Sequence, residues 1–172
     1  MGIYLNPGNG MFQMMLDSSF YVDKSGIISF MNKRIGLEHG RFVAVSRPRR
    51  FGKSVDANML CAYYSKGCDS RAQFEGLLVV RDPSFEKHLN AHDVIRIDVQ
   101  RMIGRRGIAH IIDTIEERIL ADLREAWPAV LPESTTELPE ALDRIYSYKG
   151  SGFVFVIDEW DAPIREQDEQ CT

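Results

Sequence analysis

Apolar positions along the 172-residue chain recur in two rhythms, a helical one and a short strand-like one. Ile27, Ile28, Met31 and Ile35 share a face of a helix that runs to about residue 34, with Ser25 placed to cap it. Val55, Met59, Leu60 and Tyr63 recur at helical spacing in a second helix, which should end near Gly67. Ile108, Ile111, Ile112, Ile115, Ile119 and Leu123 form the strongest amphipathic stripe, stopped by Trp127-Pro128. Leu138, Leu142 and Ile145 predict a further helix, with Thr136 as its cap and Pro139 in its first turn, where a missing N–H costs little. Short helical stretches are expected around Arg71–Phe74 and Ser84–Asn90. Between the helices lie three runs of strand type, Arg41–Ser46, Val94–Val99 and Phe153–Asp158. Phe153 to Ile157 are five consecutive apolar residues and predict a strand buried on both faces. Strands alternating with helices predict an α/β fold, a parallel sheet flanked by helices.

Composition narrows the function classes. Hydrophobic residues at 44% and charged residues at 27% are ordinary for a globular domain. The net charge of −4 disfavours a globally basic, nucleic-acid-coating surface. Yet Arg47, Arg49 and Arg50 form a local basic cluster that the total conceals. No apolar run approaches the roughly 18–20 residues that a membrane helix needs, so no membrane partner is expected. The first residues carry neither a basic nor an apolar signal region, and Asn6 stands where a myristoylation site needs Ser or Thr. Cys61, Cys68 and Cys171 form no CxxC pair and read as free thiols, which points to a cytoplasmic location. His88 and His92 are four apart with no third ligand nearby in sequence, so no zinc site is expected.

The predicted strand Arg41–Ser46 runs directly into Arg47-Pro48-Arg49-Arg50-Phe51-Gly52-Lys53-Ser54, and a predicted helix comes next. Gly52-Lys53-Ser54 matches the end of the phosphate-loop pattern GxxxxGK[ST]. In that pattern the glycine lets the backbone approach a phosphate, the lysine reaches the β- and γ-phosphates, and the serine hydroxyl ligates Mg²⁺. The helix start adds N–H donors and the positive end of its dipole. Arg47 and Pro48 replace the first glycine and its neighbour, so the backbone must differ from the generic loop. Two other readings of the segment stay open. It is a strand-to-helix turn with an exposed basic patch, or Arg47, Arg49 and Arg50 grip nucleic-acid phosphates.

The apolar run Phe153–Ile157 ends in Asp158-Glu159. A buried strand of a parallel sheet ending in acid puts carboxylates at the edge where ligands bind. This is a Walker-B-like pattern, with Asp158 toward Mg²⁺ and Glu159 as general base for an attacking water. The plainer alternative is a strand ending in solvated acids. Asp161 either orients a nearby cation or is solvated, Asp98 reads as a solvated strand end, and Asp23 and Lys24 read as capping a helix rather than touching nucleotide.

Four segments together carry a resemblance. They are Tyr21-Val22-Asp23-Lys24-Ser25, the Arg47–Ser54 loop, Phe74-Glu75-Gly76-Leu77, and Ile157-Asp158-Glu159-Trp160-Asp161-Ala162-Pro163-Ile164. The chain resembles the bacterial AAA-ATPase-like family across about residues 18–165. The resemblance implies a P-loop NTPase fold, with residues 1–35 as an N-terminal extension and 36–172 as the first part of the P-loop domain. It implies ATP and Mg²⁺ as cofactors, nucleotide binding by Arg49, Arg50, Phe51, Gly52, Lys53, Ser54 and Val55, metal binding by Ser54 and Asp158, and Glu159 as the catalytic residue. Members of that family typically continue into the rest of the ATPase core and a nuclease-like C-terminal domain. We therefore read the chain as truncated after the Walker B strand, inactive alone, with any nucleic-acid or protein partner engaged through the absent region. The rival functions are a non-hydrolysing nucleotide-gated module and a nucleic-acid-binding module built on Arg47, Arg49 and Arg50.

Overall fold

The helical rhythm of the sequence reappears in a computed structural model that describes residues 2–46 and 51–170. The chain divides into two units, Gly8–His92 and Met1–Pro7 with Asp93–Thr172. Each is described by itself.

The first unit contains α1 (Gly10–Leu16), α2 (Gly26–Asn32), α3 (Lys53–Tyr64), α4 (Arg71–Phe74) and α5 (Phe85–His88), with a 3-10 turn at Leu78–Arg81. Its interior is aromatic. Phe12 stacks on Phe74 with ring centroids 5.1 Å apart, and Tyr63 meets Phe74 edge-on at 5.4 Å. Burying phenols requires partners for their hydroxyls, and Asn32 supplies them. Its amide donates to Tyr63 Oη (3.1 Å), while Tyr64 Oη donates to its carbonyl (2.7 Å). Burial pushes the Tyr63 hydroxyl up to about 12.

The second unit contains β1 (Asp93–Asp98), α6 (Val99–Ile103), α7 (Ile111–Ala126), α8 (Leu138–Lys149), β2 (Phe153–Asp158) and α9 (Ala162–Gln170). β1 and β2 are parallel, in register from Asp93 opposite Phe153 to Asp98 opposite Asp158. Ile95 and Ile97 of β1 pack with Ile119, Leu120 and Leu123 of α7 and with Ala141 and Ile145 of α8. Each fully buried aliphatic side chain contributes about 1.5–3 kcal/mol. The other edge of β1 is taken by the N-terminal segment, where Arg96 N–H donates to the Tyr4 carbonyl and Asn6 N–H to the Val94 carbonyl. At the start of the strands, Lys149 and Asp93 form a buried ion pair, with the ammonium 4.0 Å from the Phe153 ring centre.

Several expectations are corrected. Arg41–Ser46 forms no strand; Phe42 is 85% exposed and no described segment pairs with this stretch. A strand needs a hydrogen-bonded neighbour, and an apolar run does not supply one. β2 is not buried on both faces. It has β1 as its only neighbour among the described strands, and Phe155 and Ile157 are 43% and 51% exposed. They continue the face of Ile95 and Ile97 beyond the cover of the helices. Ser25 occupies the N-cap of α2 without a side-chain cap bond, because its hydroxyl accepts from Val79 N–H at 3.0 Å instead. The cap position of α8 is Glu137, not Thr136.

Asp122 ties α7 to the N-terminal segment, its Oδ2 accepting from Tyr4 N–H (2.6 Å) and Leu5 N–H (2.9 Å). Asp122→Ala leaves both donors without a partner and is expected to cost about 2–4 kcal/mol in urea unfolding. A change within experimental error would show that the segment is not held by this carboxylate.

Candidate functional site

The loop motif and the acidic strand end fall in different units. Gly52 to Val55 belong to the first, Asp158 and Glu159 to the second. Arg47, Pro48, Arg49 and Arg50 lie outside the described residues.

α3 starts at Lys53, with Gly52 as N-cap at φ 83° and ψ 21°. This left-handed conformation is open to glycine and strained for other residues. It turns the chain sharply into the helix, where the first intrahelical bond runs from Asp56 N–H to the Gly52 carbonyl at 3.0 Å. As a glycine, the N-cap residue supplies no side-chain cap bond to this end. The amides of the first turn therefore point out of the helix beside the positive end of its dipole. Lys53, Val55 and Gly52 are half-buried, Ser54 is exposed, and Phe51 is 60% exposed.

Lys24 reaches this loop. Its Nζ donates to the Phe51 carbonyl at 2.8 Å and lies 3.0 Å from where a Cβ on Gly52 would stand. The helix-capping reading of Lys24 is thereby replaced by a loop contact. Asp23 accepts from Ser25 N–H and Leu78 N–H, both at 2.8 Å, so it ties the start of α2 to the 3-10 turn. Burial works against its charge, but the bonds from Ser25 and Leu78 outweigh it and hold the carboxyl below its ordinary value. Nothing in the spacing of residues 24 and 51 announces the Lys24 contact.

At the C-terminal end of β2, Asp158 is buried, and its Oδ1 accepts from Glu159 N–H at 3.0 Å. Glu159 has φ 53°, a left-handed backbone at a non-glycine residue. Its carboxylate is ion-paired with Arg165 of α9, whose Nε lies 3.4 Å from Asp161 Oδ2. Asp161 thus faces a cation rather than solvent alone. Asp98 sits opposite Asp158 in the register. It is not a bare strand end, because it caps α6 by accepting from Arg101 N–H at 3.1 Å and pairs with Arg101 Nε at 3.2 Å. Sequence reading did not single out Arg165. The four-residue spacing from Asp161, a helical ion-pair spacing, is the signal that points to it.

Among the described residues no group of three or more His, Cys, Asp or Glu is arranged to hold a metal ion. His88 and His92 stack with Nδ1 and Nε2 2.9 Å apart, bonded to each other. No helix among the described residues is long and apolar enough to cross a membrane.

Comparison with known proteins gives one family. Residues 9–170 match the AAA-ATPase-like family, described as "Predicted AAA-ATPase". A curated relative, an uncharacterized protein in the vnfD 5' region of Azotobacter chroococcum mcd 1, is 28% identical over 158 residues, 87% of this chain and 27% of the relative. The chain thus spans about a quarter of the length of that relative. No solved structure matches.

Gly52→Ala places a Cβ on a left-handed backbone and beside Lys24 Nζ. It is expected to destabilise the chain by about 1–2 kcal/mol in urea unfolding. An unchanged midpoint would mean that Gly52 does not hold this conformation.

Proposed function

The chain belongs to the AAA-ATPase-like family, and from that membership we propose that it binds ATP at the start of α3 and carries the residues for Mg²⁺-dependent hydrolysis. The observation that carries the reading is the left-handed Gly52, which has no side chain to cap the helix, turning directly into α3 with Lys53 as its first residue. The first-turn amides and the positive end of the helix dipole lie where Lys53 begins the helix, and a polyphosphate offers acceptors for the amides and charge for the ammonium. In this reading Arg49, Arg50, Phe51, Gly52, Lys53, Ser54 and Val55 form the nucleotide-binding segment.

The donor set suits magnesium. Ser54 offers a hydroxyl and Asp158 a carboxylate, both hard oxygen ligands, and magnesium typically takes few protein ligands and completes its shell with water and phosphate. When bound, the ion would neutralise charge on the β- and γ-phosphates. Glu159, next along from Asp158, is the residue to accept a proton from the attacking water. Adenine is taken from the family.

Isothermal titration of ATP into wild type and Lys53→Ala tests the loop. Loss of the ammonium is expected to weaken binding by about tenfold or more. Equal affinity would sink the assignment. Glu159→Gln is expected to retain ATP binding and, in the complete protein, to lower turnover by roughly a hundredfold or more. Turnover equal to wild type would remove Glu159 from its role.

A further inference from the structure

Glu159 is held from three sides. Its N–H donates to Asp158 Oδ1 (3.0 Å), its carbonyl accepts from Ala162 N–H (2.9 Å), and its carboxylate is ion-paired with Arg165. The backbone is at φ 53°, one of three positive values among the described non-glycine residues. Such a conformation costs on the order of 1–3 kcal/mol and persists only where the surroundings over-determine it. The backbone bonds fix the peptide units on either side of Glu159. They leave the side chain free to rotate, and among the described residues the contact that restrains the carboxylate itself is the one to Arg165.

Arg165 is itself well placed to act as a fixed post. It lies in the first turns of α9, its N–H donates to the Asp161 carbonyl at 3.2 Å, and its side chain is 27% exposed. Its two acidic neighbours are held unequally. The hydrogen bond goes to Glu159, whereas Nε and Asp161 Oδ2 are 3.4 Å apart without hydrogen-bond geometry. A planar guanidinium donates from several edges in fixed directions, so it orients a carboxylate in a way a point charge does not.

We propose that Arg165 is the positioning residue for Glu159, fixing the carboxylate of the strained turn at the end of β2 in one direction. This rests on the assignment of Glu159 under the proposed function. Arg165 itself touches neither nucleotide nor water in this scheme. It acts through Glu159, with Asp161 holding its far side.

The experiment has two arms, ATP turnover in the complete protein and thermal unfolding of this chain. In the first, Arg165→Met keeps the aliphatic stem and removes the charge. ATP turnover is expected to fall roughly tenfold to a hundredfold in kcat, with KM within about twofold, because misplacing a reacting group by an ångström costs that much. Arg165→Lys is expected to restore part of the loss, and Arg165→Met added to Glu159→Gln to lower kcat no further. An unchanged kcat, a loss confined to KM, or a loss that adds fully to that of Glu159→Gln would each overturn the proposal. In the second arm, thermal unfolding midpoints of wild type, the two single variants and the double variant form a cycle. Non-additive midpoints are expected, and additive midpoints would overturn the pairing. If wild type shows no ATP turnover at all, the hydrolysis reading fails, and the cycle still decides whether Arg165 holds Glu159.

Discussion

Two parallel strands cannot be joined by a hairpin, and this constraint shapes the second unit. After β1 the chain must travel back before β2 can start, and it does so through α6, α7 and α8. The return trip supplies the helices that cover Ile95 and Ile97. Parallel pairing also brings the carboxyl ends of both strands to one edge, so Asp98 and Asp158 stand opposite each other. An antiparallel pair would have sent them to opposite ends. The acidic edge is therefore a consequence of strand direction.

At that edge the two aspartates differ because the chain leaves each strand differently. Asp98 is absorbed into the fold by capping α6. Asp158 leads into a left-handed residue rather than a helix, and its bond to Glu159 N–H helps to hold the turn. Strain at one residue and ion pairing of its carboxylate coincide at the residue proposed as general base. Such conformations cluster at functional sites because a strained turn aims a side chain in a direction that regular structure does not offer. In the other unit Gly52 plays a comparable geometric part at no strain, with Lys24 bracing the loop from outside the motif.

Periodicity made much of this legible. The isoleucine stripe of α7 except Ile112, which is 65% exposed, the start of α3 and both strands of the sheet stand close to where hydrophobic spacing puts them, although Val99 leaves the first strand to begin α6. What spacing does not encode is partnership. Arg41–Ser46 has strand composition and no neighbouring strand among the described residues. β2 has five apolar residues in a row, but how much of them is covered depends on how far the helices extend across the sheet. Ser25 has the chemistry of a cap, yet the N–H of Val79, far along the chain, takes its hydroxyl. The contacts of Lys24 with Phe51 and of Arg165 with Glu159 were hidden for the same reason, although the spacing of Arg165 from Asp161 is a local signal.

The central claim is that the start of α3 recognises a polyphosphate. It is tested most directly by displacing a fluorescent ATP analogue from the wild-type chain with ATP, ADP, AMP and adenosine. If the amides of α3 and Lys53 carry recognition, ATP and ADP displace the probe at concentrations about tenfold or more below AMP, and adenosine is weakest. Equal displacement by adenosine and ATP, or no binding of the analogue, would contradict the account.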